Sequence, residues 1–282
     1  MIHTAFDYSA PTTVDQALAA LASGGDDVKV LGGGQSLLPI LRMRLNAPDL
    51  LVDLSRIDAL RGIRDEGDAI VIGAMTPYSD VLASDLVREH ASLLAKAVAE
   101  VADPQIRHRG TVGGALVHAD PAGDVGAPAL ALDAELVIAG SGGTRTVPAS
   151  EFFQDLFETS VGEGELLTEV RIPKHTGWGS HYEKFVRVSH QWSIIGVAVT
   201  LRAEGGTIRE ARVGLTNMGS TPLRARAVEE ALVGRTAADL GDACASAADG
   251  TNPPSDLNGS SDYRRHLARV LTARAVTTAL QG

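Results

Sequence analysis

Three consecutive glycines, Gly32-Gly33-Gly34, stand directly behind the apolar and β-branched run Val28 to Leu31, and an apolar segment restarts at Leu37. A strand that ends in this way must turn, and with no Cβ in the way successive backbone N–H groups can converge on one point. The stretch Lys29-Val30-Leu31-Gly32-Gly33-Gly34-Gln35-Ser36-Leu37 therefore reads as a strand followed by an anion cradle. Ser36 adds a hydroxyl donor. Pro39 suits the first turn of a helix over 38–45, whose positive end would face the anion. A pyrophosphate fits such a site.

Glycine strings also occur in ordinary loops, so the reading gains from a second glycine turn of the same kind, Thr111-Val112-Gly113-Gly114, with Ala115 after it. A side chain at Gly33 or Gly114 is expected to occupy space reserved for phosphate oxygens. Two other chemistries compete. Gly32-x-Gly34 with Asp53 downstream imitates the dinucleotide fingerprint of a nicotinamide-binding fold, but the third glycine is replaced by Leu37, and a single such unit has no use for Gly113-Gly114. Asp53 is then simply a strand-end residue. His108, His118, Asp120 and Asp124 are metal-ligand types, yet their spacing is irregular and no histidine pair sits at helical separation.

Composition narrows the partners. The 282 residues carry a net charge of −10 with no basic block, which disfavours a nucleic-acid backbone or an anionic membrane surface. A hydrophobic share of 44% beside 21% charged residues is that of a globular α plus β chain, long enough for two domains. Cys244 is the sole cysteine, so the chain can hold neither an internal disulfide nor an iron–sulfur cluster by itself. The start, Met1 to Asp7, has no basic region followed by an apolar stretch. The longest apolar runs, near Ala69 to Met75 and Ile194 to Leu201, are too short to span a bilayer. A cytoplasmic location is the default expectation.

Taken in order, a capping box at Thr13-Val14-Asp15-Gln16 opens a helix that stops at Gly24-Gly25. Strands are expected over 50–54 and 69–74, and a helical region with Thr76 as cap and Pro77 in its first turn runs to about Ala102. Residues 103–110 read as a loop, and so do 111–124. A hairpin over 135–139 and 144–147 and a strand over 165–173 give the next part an antiparallel texture. Residues 173–181 are the best candidate linker. Beyond it come strands over 182–188, 193–203 and 207–216, a helix capped by Thr221-Pro222 and ending near Gly234, a weaker helix over 236–248, and a final helix. On that helix Tyr263, Leu267, Val270 and Leu271 share a face.

Several segments together resemble a known family. Leu31 to Pro39, Asp103 to Gly114 and His118-Ala-Asp-Pro-Ala-Gly-Asp124 are similar to signature segments of the FAD-binding medium subunits of molybdenum hydroxylases, the branch containing carbon monoxide dehydrogenase above all. The likeness extends through Met1 to Tyr8, Leu51 to Leu54, Gly73 to Thr76, Glu165 to Pro173 and Gly214-Leu-Thr-Asn217. It implies an α+β fold: a two-lobed FAD-binding domain of the vanillyl-alcohol oxidase (PCMH) type over 1–175, with lobes of about 1–55 and 56–175. A small α/β C-terminal domain over 176–282, with a three-stranded antiparallel sheet and helices, would follow it.

The resemblance also implies FAD that receives electrons from 2Fe-2S clusters of a small subunit; non-covalent binding is expected because the sole cysteine, Cys244, lies in the C-terminal helical part and neither cradle needs a covalent anchor. Those electrons come from a molybdenum cofactor on a large subunit and leave for an external acceptor. The complex would be a dimer of heterotrimers, cytoplasmic or resting on the inner face of the membrane. Residue by residue, it places Val30 to Ser36 and Thr111 to Gly114 on two sides of the pyrophosphate. Asp124 would meet FAD hydroxyls, Leu167 would line the flavin, and Lys184 would be a cation near the ring system. Ala115 departs from the family, in which many members carry Asn there. A free-standing flavin oxidase of the same fold, and the medium subunit of an aldehyde, xanthine or N-heterocycle dehydrogenase, are the alternative functions.

Overall fold

The computed structural model describes residues 2, 5–25, 27–240 and 242–282. Part of the N-terminal reading, at Met1, His3 and Thr4, lies outside the described residues. The first lobe is a parallel sheet with strand order β1-β3-β2, made of β1 (Asp7–Ser9), β2 (Val28–Leu31) and β3 (Leu50–Asp53). Its helices are α1 (Val14–Ser23) and α2 (Leu37–Arg42). The Thr13 hydroxyl accepts from the Gln16 N–H at 3.2 Å, so the expected cap forms, and Gly25 leaves the helix at φ +83°.

A chain of five antiparallel strands builds the second lobe, in the order β4-β5-β10-β6-β7: β4 (Ile63–Asp65), β5 (Ala69–Gly73), β6 (Glu135–Gly140), β7 (Gly143–Pro148) and β10 (Leu166–Pro173). Between β5 and β6 run α3 (Tyr78–Ala83), α4 (Asp85–His90), α5 (Ser92–Ala99), α6 (Pro104–Arg107), α7 (Val112–His118) and α8 (Gly126–Ala131). After β7 come α9 (Ala149–Phe152) and the short pair β8 (Phe153–Asp155) and β9 (Glu158–Thr159). Three expectations need correction here. The helical region after Pro77 is three helices, broken at Ser84 and Ala91. The supposed loops 103–110 and 111–124 each contain a helix, because Asp103 accepts from the Ile106 N–H at 2.9 Å and Thr111 from the Gly114 N–H at 3.2 Å. Each cap stabilises a turn that glycine and proline content alone disguises.

The third sheet, order β11-β12-β13-β14, comprises β11 (Gly179–Phe185), β12 (Ile195–Glu204), β13 (Thr207–Thr216) and the two-residue edge strand β14 (Leu223–Arg224). It holds the three long antiparallel strands expected, with the first starting inside the supposed linker. Both of its faces are covered. Val197, Val199 and Leu201 point to α11 (Ser261–Leu280), while Ala198 and its cross-strand partner Tyr182 belong to the second lobe's core, so alternate residues of β12 serve two cores. The chain after Thr221-Pro222 forms β14 before α10 (Arg226–Leu232) begins, and the described residues of 236–248 hold only turns and a single 3-10 turn at Ala245–Ala248. On α11 the buried stripe is Arg264, Leu267, Ala268, Leu271, Thr272, Ala275, Val276 and Ala279, whereas Tyr263 is exposed. A buried arginine displaced the stripe from the one that apolar residues alone suggest.

An ionic knot ties the third sheet to the second lobe. Arg224 donates bidentately to Glu229 at 2.5 and 2.8 Å and also to Asp133 at 2.8 Å and the Leu130 carbonyl at 3.0 Å. Glu229 in turn accepts from the Val213 N–H at 2.9 Å. Removing one member leaves a buried charge without its partner, which costs about 3–5 kcal/mol. Arg224→Met is therefore expected to lower unfolding free energy by roughly that amount in urea titration, and Arg224→Met/Glu229→Gln to recover a large part of it.

Candidate functional site

β2 ends at Leu31 and delivers the glycine turn to the mouth of a cavity of about 710 Å³, which runs between the two lobes to the third sheet. Pockets that bury a small molecule span about 300–1,000 Å³, so a dinucleotide is of the right size. Gly34 has φ +75°, a conformation that glycine adopts with no Cβ penalty and that a β-branched residue does not tolerate. Among the described residues the backbone N–H groups of Gly33, Gly34, Gln35 and Ser36 have no protein acceptor. The Gln35 carboxamide donates to the Gly33 carbonyl at 2.9 Å and stiffens the turn. Four N–H groups at one turn, ahead of α2, are thus left without a protein acceptor on the wall of the cavity.

The second glycine turn is built differently. Val112 N–H donates to the Thr76 carbonyl at 3.2 Å and Gly113 N–H to the Ala74 carbonyl at 2.9 Å, while Gly114 N–H caps on the Thr111 hydroxyl. Its donors are committed inside the protein. What it offers the cavity is thinness. A Cβ at Gly113 would lie 2.5 Å from the Ala74 Cβ, and one at Gly114 would lie 2.7 Å from the Thr111 hydroxyl oxygen. Gly33 meets the approach to this turn directly: a Cβ there would overlap the Arg109 carbonyl and lie 2.8 Å from the Gly110 Cα. The expectation that Gly33 is kept bare for phosphate oxygens is thus corrected, because the backbone of the other lobe occupies that space.

Of the residues singled out in the sequence, Lys29, Val30, Gly32 to Leu37, Thr111, Gly113, Gly114, Ala115, Asp124, Leu167 and Lys184 all line the cavity. Leu31 and Val112 do not line it. Leu31 is the last rung of the ladder to Asp53, and Val112 is a core residue at 1% exposure. Lys29 reaches outward to Asp27 at 3.0 Å. Leu167 sits where β10 slips register against β6, at the step between Leu167 and Glu169, and faces the cavity while belonging to the core.

Asp124 is 6% exposed and carries three hydrogen bonds, from the Tyr182 hydroxyl at 2.7 Å, the Ser193 hydroxyl at 2.9 Å and the Lys184 ammonium at 2.7 Å. Burial pushes its carboxyl above the usual carboxylate range, against the pull of Lys184, Tyr182 and Ser193. Lys184 also donates to the Glu100 carbonyl at 2.9 Å. The cation expected near the ring system is therefore one half of a buried ion pair, and its charge is balanced on the spot. Three of the four residues weighed as metal ligands are engaged within the protein: Asp124 as above, the His118 ring, which packs against Phe157 at 5.2 Å, and Asp120, which accepts from the Ala122 N–H at 2.9 Å. Asp53 accepts from the Tyr8 hydroxyl at 2.6 Å and caps Ser55 at 2.8 Å, as befits a strand end.

Sequence reading missed the segment after β11, where His190, Gln191 and Trp192 line the cavity and Trp192 is 56% exposed. His190 is pinned to the Ala102 carbonyl at 2.6 Å. It also missed the Asp124 partners Tyr182 and Ser193, for which spacing gives no signal, since 58 and 69 residues of chain separate each from Asp124.

Comparison with known proteins agrees with this geometry. Residues 4–175 match the family model described as the FAD binding domain in molybdopterin dehydrogenase, and residues 180–279 match the CO dehydrogenase flavoprotein C-terminal domain. The chain belongs to the family of FAD-binding medium subunits of molybdenum hydroxylases, and is an oxidoreductase subunit with the two-lobed flavin fold and α/β C-terminal part that the sequence implied. It is 41% identical to the carbon monoxide dehydrogenase medium chain of Hydrogenophaga pseudoflava over 99% of this chain and 98% of that one. It is 34% identical to the glyceraldehyde dehydrogenase medium chain of Sulfolobus acidocaldarius over 96% of both. A solved structure of the Hydrogenophaga enzyme, lacking the Mo-pyranopterin moiety of its cofactor, superposes with a TM-score of 0.96 at 42% identity, covering 100% of this chain and 99% of that one.

The ion pair yields a test with a sign. Lys184→Met leaves Asp124 buried and uncompensated, and should destabilise the chain by about 3 kcal/mol at neutral pH. A carboxyl whose folded pKa lies above its unfolded value stabilises in its protonated form. That contribution is full below the unfolded pKa and is lost as pH rises through the folded one. The deficit of Lys184→Met should therefore shrink toward acid and grow toward alkali in denaturation curves, and Lys184→Met/Asp124→Asn should abolish the pH trend.

Proposed function

We propose that this chain is the flavin-bearing electron-transfer subunit of a molybdenum hydroxylase whose substrate is carbon monoxide. The observation that carries the reading is one cavity whose wall holds four unpartnered N–H groups, the apolar Leu167 and the Lys184–Asp124 pair. That set of environments suits a molecule that carries both a pyrophosphate and a flat redox ring. Gly33 to Ser36 would hold the pyrophosphate, Thr111, Gly113 and Gly114 would wall it, Asp124 would meet hydroxyl groups, and Leu167 would cover a ring face and exclude water. When bound, FAD supplies a centre that accepts electrons and passes them on.

Binding without a covalent link is supported by the position of Cys244, 1% exposed in the core under α11, where burial pushes its thiol up to about 11. The absence of further cysteines in the sequence supports a division of labour: iron–sulfur clusters on a small subunit and the molybdenum cofactor on a large one. The domain division at 175/176, assembly as a dimer of heterotrimers and a cytoplasmic location belong to the same proposal. Among the described residues no helix is long and apolar enough to cross a membrane. Carbon monoxide is favoured by the relative at 41% identity, and an aldehyde is the second reading, on the relative at 34%. A free-standing oxidase would need a base at the ring. Asp124 already accepts three hydrogen bonds and Lys184 is bound to it, so neither is available for that work.

Anaerobic mixing separates these readings. Carbon monoxide should bleach the flavin band of the co-purified three-subunit complex and leave the FAD-incubated single chain yellow. Bleaching of the single chain by any small substrate would overturn the electron-transfer role, and bleaching of the complex by glyceraldehyde but not by carbon monoxide would move the substrate to the aldehydes. Gly34→Val should abolish FAD retention by the complex, since a β-branched residue at φ +75° cannot keep the turn. Full flavin occupancy in that variant would refute the cradle.

A further inference from the structure

Asn217 closes the segment Gly214-Leu215-Thr216-Asn217, which does not line the cavity. It nonetheless joins the two stretches of chain that meet at Asp124. Its backbone N–H donates to the Pro121 carbonyl at 2.8 Å, three residues before Asp124. The side-chain amide donates to the Ser193 carbonyl at 2.8 Å and the Ile194 carbonyl at 3.3 Å, and the Ser193 hydroxyl is one of the donors to Asp124. The Ile194 carbonyl is held a second time by the guanidinium of Arg264, a fully buried side chain that is itself clamped by both Asp256 oxygens at 2.8 Å. Asn217 has φ +60°, a region in which asparagine is several-fold enriched over other non-glycine residues.

We propose that Asn217 is a positioning residue for the FAD cleft. It fixes the Pro121 and Ser193 segments at the separation that lets Ser193 saturate Asp124, with Arg264 as the rigid anchor of the neighbouring carbonyl. Asp124 accepts three donors at once, and a buried carboxylate keeps one orientation only while each donor stays in place. Of those donors, Lys184 and Tyr182 lie on β11, where the ladder to β12 sets their position. Ser193 precedes β12 in irregular chain, so its backbone needs another support, and the Asn217 amide supplies it. This inference rests on the reading of Asp124 as part of the FAD site.

The test uses the full chain within the purified complex, stripped of flavin and titrated with FAD. Asn217→Gly removes the amide and tolerates the positive φ; Asn217→Asp keeps the shape and removes the donor, and carries the same test if the glycine variant does not fold. Either should weaken FAD binding roughly tenfold and alter the shape of the bound-flavin absorption band. Combined with Ser193→Ala, the loss should be no greater than that of the weaker-binding single variant, because both act on one interaction. Unchanged affinity and band shape, or losses that multiply in the double variant, would overturn the proposal. Asp124→Asn is the control arm: no effect there sinks the reading of the cleft and the positioning role with it. A loss in Asp124→Asn beside an unaffected Asn217→Gly sinks the positioning role alone.

Discussion

The contact on which the rest depends is made by backbone alone: the Gly33 Cα packed against the Arg109 carbonyl and Gly110. It is one point at which the parallel lobe and the antiparallel lobe touch, beside the side-chain core that Ala17 and Val52 share with Met75 and Leu166, and it is made by backbone. Because such a contact has no flexible atoms to yield, it holds the two glycine turns at close approach. The cavity above it inherits that spacing. Gly113 against Ala74 and Gly214 against the Ala127 carbonyl repeat the device further out, so the cleft, the second sheet and the third sheet are registered to each other through glycines.

Much of the fold was legible because the hydrophobic pattern is clean. The Thr13 cap, the 135–147 hairpin and the long strands of the third sheet appear where alternation and turn residues place them. The misreadings have two physical origins. At 103–124, glycine and proline suggest open loop, but aspartate and threonine caps supply the missing hydrogen-bond acceptors and let short helices form in a composition that argues against them. On α11 a buried charge occupies a position that pattern reading reserves for an apolar residue, because its counter-ion Asp256 comes from a loop.

In the cleft the division is equally physical. Local chemistry, meaning glycines that must approach backbone or adopt positive φ, is written in consecutive residues and can be read. Pairing chemistry cannot. That Lys184 faces Asp124, and that Asp124 also gathers Tyr182 and Ser193, follows only from how three sheets stack, and with that knowledge a supposed lone cation becomes half of a neutral unit. The two glycine motifs look alike on paper and differ in kind: one presents donors to the cavity, whereas the other has used its donors to bind itself to the end of β5.

The separation in sequence between Asp124 and its partners also sets the order in which the cleft can come into being. While the chain is being made, the donor turn at 33–36 and both glycine loops exist long before residues 182–193 do, and Asp124 has neither its ammonium nor its hydroxyl donors until β11 and the start of β12 have been added. Arg264, which steadies the Ile194 carbonyl, comes later still. The surroundings of Asp124 are thereby completed only near the last moment of synthesis, and a chain cut short before β11 would leave that carboxyl without its ammonium and hydroxyl donors.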